Sequence, residues 1–150
     1  MEYEDIKSFE EQFEEFLQPF RDITSCAYKS FNWLKAGLHE DAYEVGLKIE
    51  LEQIGYDVGQ QEDFIMWYKG QPTEKKFRMD LFVRTEVVGN IILELKALQT
   101  VGEKELRQLH SYMRLSNTRY GMLINFGQHK VYAEIWRYDN ATNNFERIKY

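Results

Sequence analysis

The chain has a single cysteine, Cys26, which excludes an internal disulfide, and three histidines beside it make a poor structural zinc set. Neither staple is available, so an apolar core must hold the fold. Long apolar runs are missing too. Ile91-Ile92-Leu93 falls far short of the roughly 20 residues that cross a bilayer, so no membrane span or membrane partner is expected. The first residues, Met1-Glu2-Tyr3-Glu4-Asp5, are acidic with no apolar stretch behind them, unlike a secretory or mitochondrial leader. The expectation is a protein that stays inside the cell, in cytoplasm or nucleus. No internal repeat or low-complexity linker interrupts the chain. Positive charge is scarce: the formal charge of −6 argues against unselective binding to a polyanion. Nucleic-acid binding would require Lys75, Lys76, Arg78, Lys104, Arg107, Arg114 and Arg119 to gather on one face while the acids collect elsewhere.

What is present suffices for one domain over residues 1–150: 150 residues, 43% apolar and 15% aromatic, can build one continuous core. From Tyr3 to Phe20, apolar residues recur at spacings of three and four between Glu10, Glu11, Glu14 and Glu15, predicting an acidic amphipathic helix that ends near Pro19. A second helix is predicted from about Asp22 to Leu34 with a break at Gly37, and a third from about His39 to Ile54 closed by Gly55. Beyond Gly55 the texture changes. Tyr56–Val58, Phe64–Tyr68, Phe77–Arg84 and Asn90–Lys96 read as strands, with turns at Lys69-Gly70-Gln71-Pro72 and Gly89-Asn90. Helical spacing returns over Glu103–Leu115, and the apolar run Tyr120–Phe126 reads as a buried strand, giving a strand, helix, strand crossover. Val131–Tyr138 and Phe145–Tyr150 suit a terminal hairpin. This order implies an α/β fold with a mixed sheet flanked by helices.

The chemistry centres on Ile91-Ile92-Leu93-Glu94-Leu95-Lys96. With a period of two, Ile91, Leu93 and Leu95 face one way and Ile92, Glu94 and Lys96 the other, so an apolar strand carries an acid and an amine side by side. Burying such charges is costly unless they are paired or bound to metal. A solvated edge face or a plain ion pair is the alternative. In the preceding strand, Phe77, Met79, Leu81 and Val83 are expected on one face and Asp80 on the other. If the two strands pair through the turn near Gly89, Asp80 and Glu94 converge on one oxygen-rich point. Two carboxylates plus phosphate oxygens and waters are what Mg2+ favours. An adjacent lysine can then orient the attacking water or offset charge developing on the phosphate. Glu40, at a helix start, is a further candidate for holding metal or positioning water, although an acid is favoured there anyway. Gln108 and Tyr112 lie four apart on the later helix and share a face that can border the site.

These residues resemble the PD-(D/E)XK nuclease superfamily, and within it the small GxxExxR family. The resemblance rests on Gly37-Leu38-His39-Glu40-Asp41-Ala42-Tyr43, Asp80 in Arg78-Met79-Asp80-Leu81, Glu94-Leu95-Lys96, Gln108-Leu109-His110-Ser111-Tyr112 and Gly121-Met122-Leu123-Ile124-Asn125-Phe126-Gly127, in that order. It implies a restriction-endonuclease-like core over residues 22–127, with residues 1–21 an added acidic helix and 128–150 an added C-terminal β-hairpin. It implies hydrolysis of DNA phosphodiester bonds by a metal-activated water and a requirement for Mg2+ or Mn2+. By the same resemblance, Asp80, Glu94 and Glu40 hold metal, Lys96 is the catalytic lysine, and Gln108 and Tyr112 look like the glutamine-tyrosine motif of RecB-type nucleases. Two positions depart from the pattern: Met79 stands where proline is usual before the first acid, and Tyr43 where the family name expects arginine.

Two other readings compete with a DNA nuclease. One is a catalytically inactive nuclease-fold module for protein or nucleic-acid binding, with the acidic helix as its docking surface, for which net acidity is the motive. The other is a structure-selective enzyme, such as a junction resolvase, acting as a homodimer through that helix.

Overall fold

The computed structural model describes residues 8–149, so Tyr3 and Ile6 of the first predicted helix lie outside the described residues. Helix α1 spans Phe9–Leu34 and α2 Glu40–Gln53; strands β1 (Asp57–Tyr68), β2 (Gln71–Thr85) and β3 (Gly89–Lys96) follow, then α3 (Glu103–Ser116), β4 (Tyr120–Asn125), β5 (Tyr132–Asp139) and β6 (Asn144–Ile148). The six strands form one sheet in chain order; β3 and β4 are parallel, joined by α3, and every other pair is antiparallel. This is the α/β mixed sheet flanked by helices that the sequence predicts. No helix among the described residues is long and apolar enough to cross a membrane.

The first two predicted helices are one. Helix α1 starts at a capping box, with Ser8 Oγ accepting from Glu11 N and Ser8 N donating to Glu11 Oε2, and it runs through Pro19 without stopping. An interior proline costs about 3 kcal/mol. Leu17, Phe20 and Ile23, on both sides of Pro19, are each fully buried. At roughly 1.5–3 kcal/mol per buried side chain, their burial outweighs the proline. Phe16 and Phe20 both meet Tyr120 of β4 edge-on, with centroids 5.5 Å apart.

Helices α1 and α2 cover one face of the sheet, where Leu47 and Leu51 pack with Leu81, Val83, Ile91, Leu93, Leu95, Met122 and Ile124. Helix α3 covers the other, where Leu109 and Met113 pack with Met79, Phe82, Ile92 and Leu123. A Cβ on Gly121 of β4 would come within 2.7 Å of Met113 Sδ and 2.9 Å of Leu109 Cδ1, so the missing side chain sets how closely α3 approaches.

The two short strands predicted around residues 56–68 form the single strand β1. It joins β2 through the two-residue turn Lys69-Gly70, where both residues have positive φ (48° and 75°), matching the twist of a tight hairpin. The turn is therefore tighter than the predicted Lys69–Pro72. Pro72 lies within β2, tolerated because β3 pairs only with Leu81–Thr85 and leaves the first part of β2 as an edge.

Met79 does not share a face with Leu81 and Val83 as predicted: Met79 packs on the α3 side, Leu81 and Val83 on the α1–α2 side. The strand changes phase at Asp80. Pairing of β2 with β3 stops at Leu81↔Leu93, and opposite the bend Gln61 of β1 takes a left-handed backbone (φ 50°). Continued, the β2–β3 ladder would set Met79 against Leu95. Instead, Asp80 Oδ2 accepts from the Leu95 N–H at 2.9 Å. The bend thus swings the Asp80 carboxylate over the end of β3.

The segment after β3 is held equally firmly. Buried Asn125 accepts from Leu98 N (2.9 Å) and Gly127 N (3.1 Å) and donates to Leu98 O (2.8 Å). A Cβ on Gly127 would lie 2.1 Å from Leu98 O and 2.2 Å from Leu98 N, both backbone atoms. Gly127→Ala is expected to lower stability by about 3 kcal/mol or more, the upper range for overpacking, because neither backbone can yield. Urea unfolding measures it, and a loss below about 1 kcal/mol would show that this approach is not constrained.

Candidate active site

Asp80 at the strand bend, Glu94 on β3 and Lys96 at the end of β3 are brought together. Glu94 is 2% exposed, and its Oε1 lies 3.1 Å from Lys96 Nζ. Its other oxygen, Oε2, is buried and has no hydrogen-bond partner among the described residues. Burial, then repulsion from Asp80, pushes the Glu94 pKa up to about 7. Burial likewise raises Asp80, against the opposing Leu95 N–H and Lys96. For Lys96 burial works downward, but Glu94, Asp80 and Glu40 more than offset it, so its pKa is held above the ordinary lysine value. Lys96 is a cation at neutral pH.

Gln108 and Tyr112 border this cluster as the sequence predicts. Lys96 Nζ donates to Gln108 Oε1 at 2.9 Å, and Gln108 Nε2 donates to Tyr112 Oη at 3.0 Å. The Tyr112 ring stacks on Phe77 of β2, centroids 5.3 Å apart. The lysine therefore sits in a relay anchored on two elements. From the other side of the sheet, Glu40 is exposed at the start of α2, near enough for its charge to raise both Asp80 and Glu94. Among the described residues, no group of three or more His, Cys, Asp or Glu side chains forms a ready-made metal cage.

Sequence reasoning missed Glu44, Gln60 and Gln61. Glu44, one turn after Glu40 on α2, is 6% exposed and accepts from Gln60 Nε2 (2.9 Å) and Gln61 Nε2 (2.7 Å). Gln61 Nε2 also reaches Asp80 Oδ1 at 3.4 Å, tying the strand acid to α2. Burial raises Glu44 too, with Asp80 adding to the effect. The four-residue spacing of Glu40 and Glu44 was the one available signal; the glutamines, polar residues in an otherwise ordinary strand, gave none.

Tyr43 belongs to the core instead. It is fully buried, stacks on Phe126 at 4.6 Å with an interplanar angle of 1°, and its hydroxyl donates to Lys35 O at 2.5 Å. It fixes the turn between α1 and α2, so the position that resembles the family's arginine carries packing here. The basic residues named for a phosphate face come from separate elements. Lys75, Lys76 and Arg78 lie on β2; Lys104, Arg107 and Arg114 lie on α3; and Arg119 precedes β4. Arg78 pairs with Asp63 and Arg107 with Glu103, while Arg114 lies over the Phe145 ring.

The donor set fits a hard divalent cation. Glu94 and Asp80, both with raised pKa, and Glu40 act on the single Lys96 ammonium, one buried Glu94 oxygen has no partner among the described residues, and a cation would offset that excess of negative charge. The mixed sheet thus carries Asp80 at a strand bend beside Glu94 and Lys96 on the neighbouring strand. The chain belongs to the PD-(D/E)XK nuclease superfamily, whose family model matches residues 18–138, from within α1 to within β5. Among solved structures it is similar to the crystal structure of SSO0001, with a TM-score of 0.51 and 15% identity over 88% of this chain. The chain spans 65% of the length of that structure, and the likeness shows the fold alone. No curated protein matches the chain.

Proposed function

We propose that the chain is a metal-dependent nuclease, within the GxxExxR branch of the superfamily, that hydrolyses phosphodiester bonds of DNA with Mg2+ or Mn2+. The single observation that carries this reading is Glu94 Oε2, a carboxylate oxygen buried without a partner beside a second acid and a lysine. Lys96 answers only Oε1. A buried acceptor left unpartnered costs roughly 1–3 kcal/mol, more on a charged group, and a metal cation at Oε2 would recover it. Asp80 and Glu94 would hold the ion, with Glu40 completing its surroundings from α2. Bound there, the ion would supply Lewis acidity and neutralise phosphate charge.

The chain's own groups do the rest. The Lys96 ammonium, fixed between Glu94 and Gln108, would meet the negative charge growing on a bound phosphate and hold the water for in-line attack. Gln108 is a positioning residue: it accepts from the lysine and is itself held by Tyr112. Gln108→Leu is expected to lower kcat roughly tenfold with KM and Mn2+ affinity unchanged, the signature of a disturbed donor rather than a lost binding contact. A matching fall in metal affinity, measured by calorimetry, would instead make Gln108 part of the metal surroundings.

Crystals soaked in Mn2+ test the central claim, with anomalous signal expected between residues 80 and 94. Incubation with duplex, flap, branched and single-stranded DNA in Mg2+ or Mn2+ tests the activity. No cleavage of any of these would remove catalysis.

A second reading, a non-catalytic binding module, is favoured by the net charge of −6 and by Phe9 and Phe13, which are 82% and 41% exposed on α1 and stack on each other. In that case α1 would dock a protein partner or a second copy of the chain. Calorimetry without cation binding, together with a stable protein complex, would favour it.

A further inference from the structure

Strands β1 and β2 extend beyond the rest of the sheet. Because β3 stops pairing with β2 at Leu81, residues 71–79 of β2 hydrogen-bond only to β1, forming a two-stranded arm that begins at the Asp80 bend. One face of the arm is occupied: Phe64 stacks on Phe77, and Phe77 on Tyr112. The arm therefore has its packing contact without help from the aromatics at its tip. Yet Trp67 and Tyr68 are 59% and 58% exposed, and Ile65 beside them 45%.

The charge is equally local. Over residues 62–79 stand four cations (Lys69, Lys75, Lys76 and Arg78) and three acids (Glu62, Asp63 and Glu74), in a chain whose net charge is −6, and Glu62 is answered from outside the arm by Arg84 at 2.8 Å. Arg78 is taken by Asp63 at 2.8 Å, while Lys75 and Lys76 are exposed and form no ion pair among the described residues. Exposed rings interleaved with cations match a polyanion whose bases are open to stacking. A duplex conceals its base faces and would use only the lysines.

We propose that the tip of this arm is a docking surface for single-stranded nucleic acid that wraps around it, unpaired bases stacking on Trp67 on one face and on Tyr68 on the other, with phosphates seated on Lys69, Lys75 and Lys76. The strand is thereby led along β2 toward Asp80. This extends the nuclease reading, on which it rests for the fate of the strand but not for its binding.

The test is the affinity of the full chain for a fluorescent oligothymidylate of about 20 nucleotides and for a duplex of equal length, in Ca2+, by anisotropy. Trp67→Ala with Tyr68→Ala is expected to weaken oligothymidylate binding at least tenfold, from about 1–3 kcal/mol per stacked base, and to leave the duplex nearly unaffected. Trp67→Phe with Tyr68→Phe should retain most of the affinity. Lys75→Ala with Lys76→Ala should reduce the salt slope of single-strand binding by about 1.4, near 0.7 per phosphate contact. Unchanged oligothymidylate binding in the alanine pair would overturn the proposal, as would equal losses on both probes. So would a dimer that the alanine pair dissociates while oligonucleotide binding stays intact.

Hydrolysis of bis(p-nitrophenyl) phosphate, too small to reach the arm, separates the two readings. If wild type cleaves no diester but the arm variants lose oligothymidylate binding, the nuclease reading fails and the arm inference stands. Normal hydrolysis with unchanged binding gives the reverse.

Discussion

Lys96→Ala is expected to fold and to lose cleavage by roughly two to three orders of magnitude, the effect of removing one preorganised donor from developing charge. The geometry makes Lys96 an electrostatic group rather than a base. Its ammonium lies 3.1 Å from Glu94 Oε1 and 2.9 Å from Gln108 Oε1, and the surrounding acids hold its pKa above the ordinary value, so it has no neutral amine to offer near pH 7. Its backbone is pinned as well, with Phe126 N donating to Lys96 O at 2.8 Å. Truncation leaves Glu94 without its cation. Because the Glu94 pKa is already pushed to about 7, the side chain can take up a proton instead, and the fold should survive. Single-turnover cleavage beside a thermal melt makes the measurement. Cleavage within a few-fold of wild type in a folded variant would end the role assigned to Lys96.

Glu94→Gln is expected to abolish cleavage and metal response while making the metal-free protein more stable at alkaline pH. The sign follows from the raised pKa. Below the ordinary carboxyl value of 4.5, Glu94 is protonated in both the folded and unfolded chain, and it places no burden on the fold. Between 4.5 and about 7 the unfolded chain releases the proton while the folded chain keeps it, so stability drops as pH rises; above about 7 the deficit is complete. Glutamine has the same shape and no charge, so it removes this slope.

In the metal-free state at pH 8 the variant should melt several degrees above wild type, at roughly 3 °C per kcal/mol for a chain of this size. Mn2+ should raise the wild-type melting temperature more at pH 8 than at pH 5.5, since at the lower pH it must displace a proton, and should barely move the variant. A metal-free variant less stable than wild type at pH 8 would mean that the Glu94–Lys96 pair outweighs the cost of burial, contrary to this account. The expected pattern is stability given up at a site kept for function.

Much of the site was legible because its residues lie on regular elements. Alternation along Ile91–Lys96 set Glu94 and Lys96 on one face, and the four-residue spacing of Gln108 and Tyr112 set them together on a helix; both placements hold. The Asp80 placement was reached through a strand taken as straight, yet the strand bends there and Met79 changes sides. Period-two reasoning fails at such a point because it assumes an unbroken ladder. Glu44 and Gln61 look like solvated polar residues in a linear reading, and only the packing of α2 against the first half of β1 joins them to Asp80. Pro19 misled in the opposite sense, since local propensity favours a helix end and only the apolar contacts on both sides keep α1 intact.

By itself, the sequence determined the order and kind of the elements, most of the apolar faces that build the two layers of core, and the choice of Asp80, Glu94 and Lys96 as residues to look for together. These follow from local periodicity, which needs no partner to be read. The tertiary structure alone decided that Glu94 is buried with an oxygen left unanswered, that Tyr43 belongs to the core, and that the β1–β2 arm stands clear of the sheet. Burial and pairing depend on which segments meet across long stretches of chain, and those meetings set the local dielectric that turns an ordinary carboxylate into one held near neutrality.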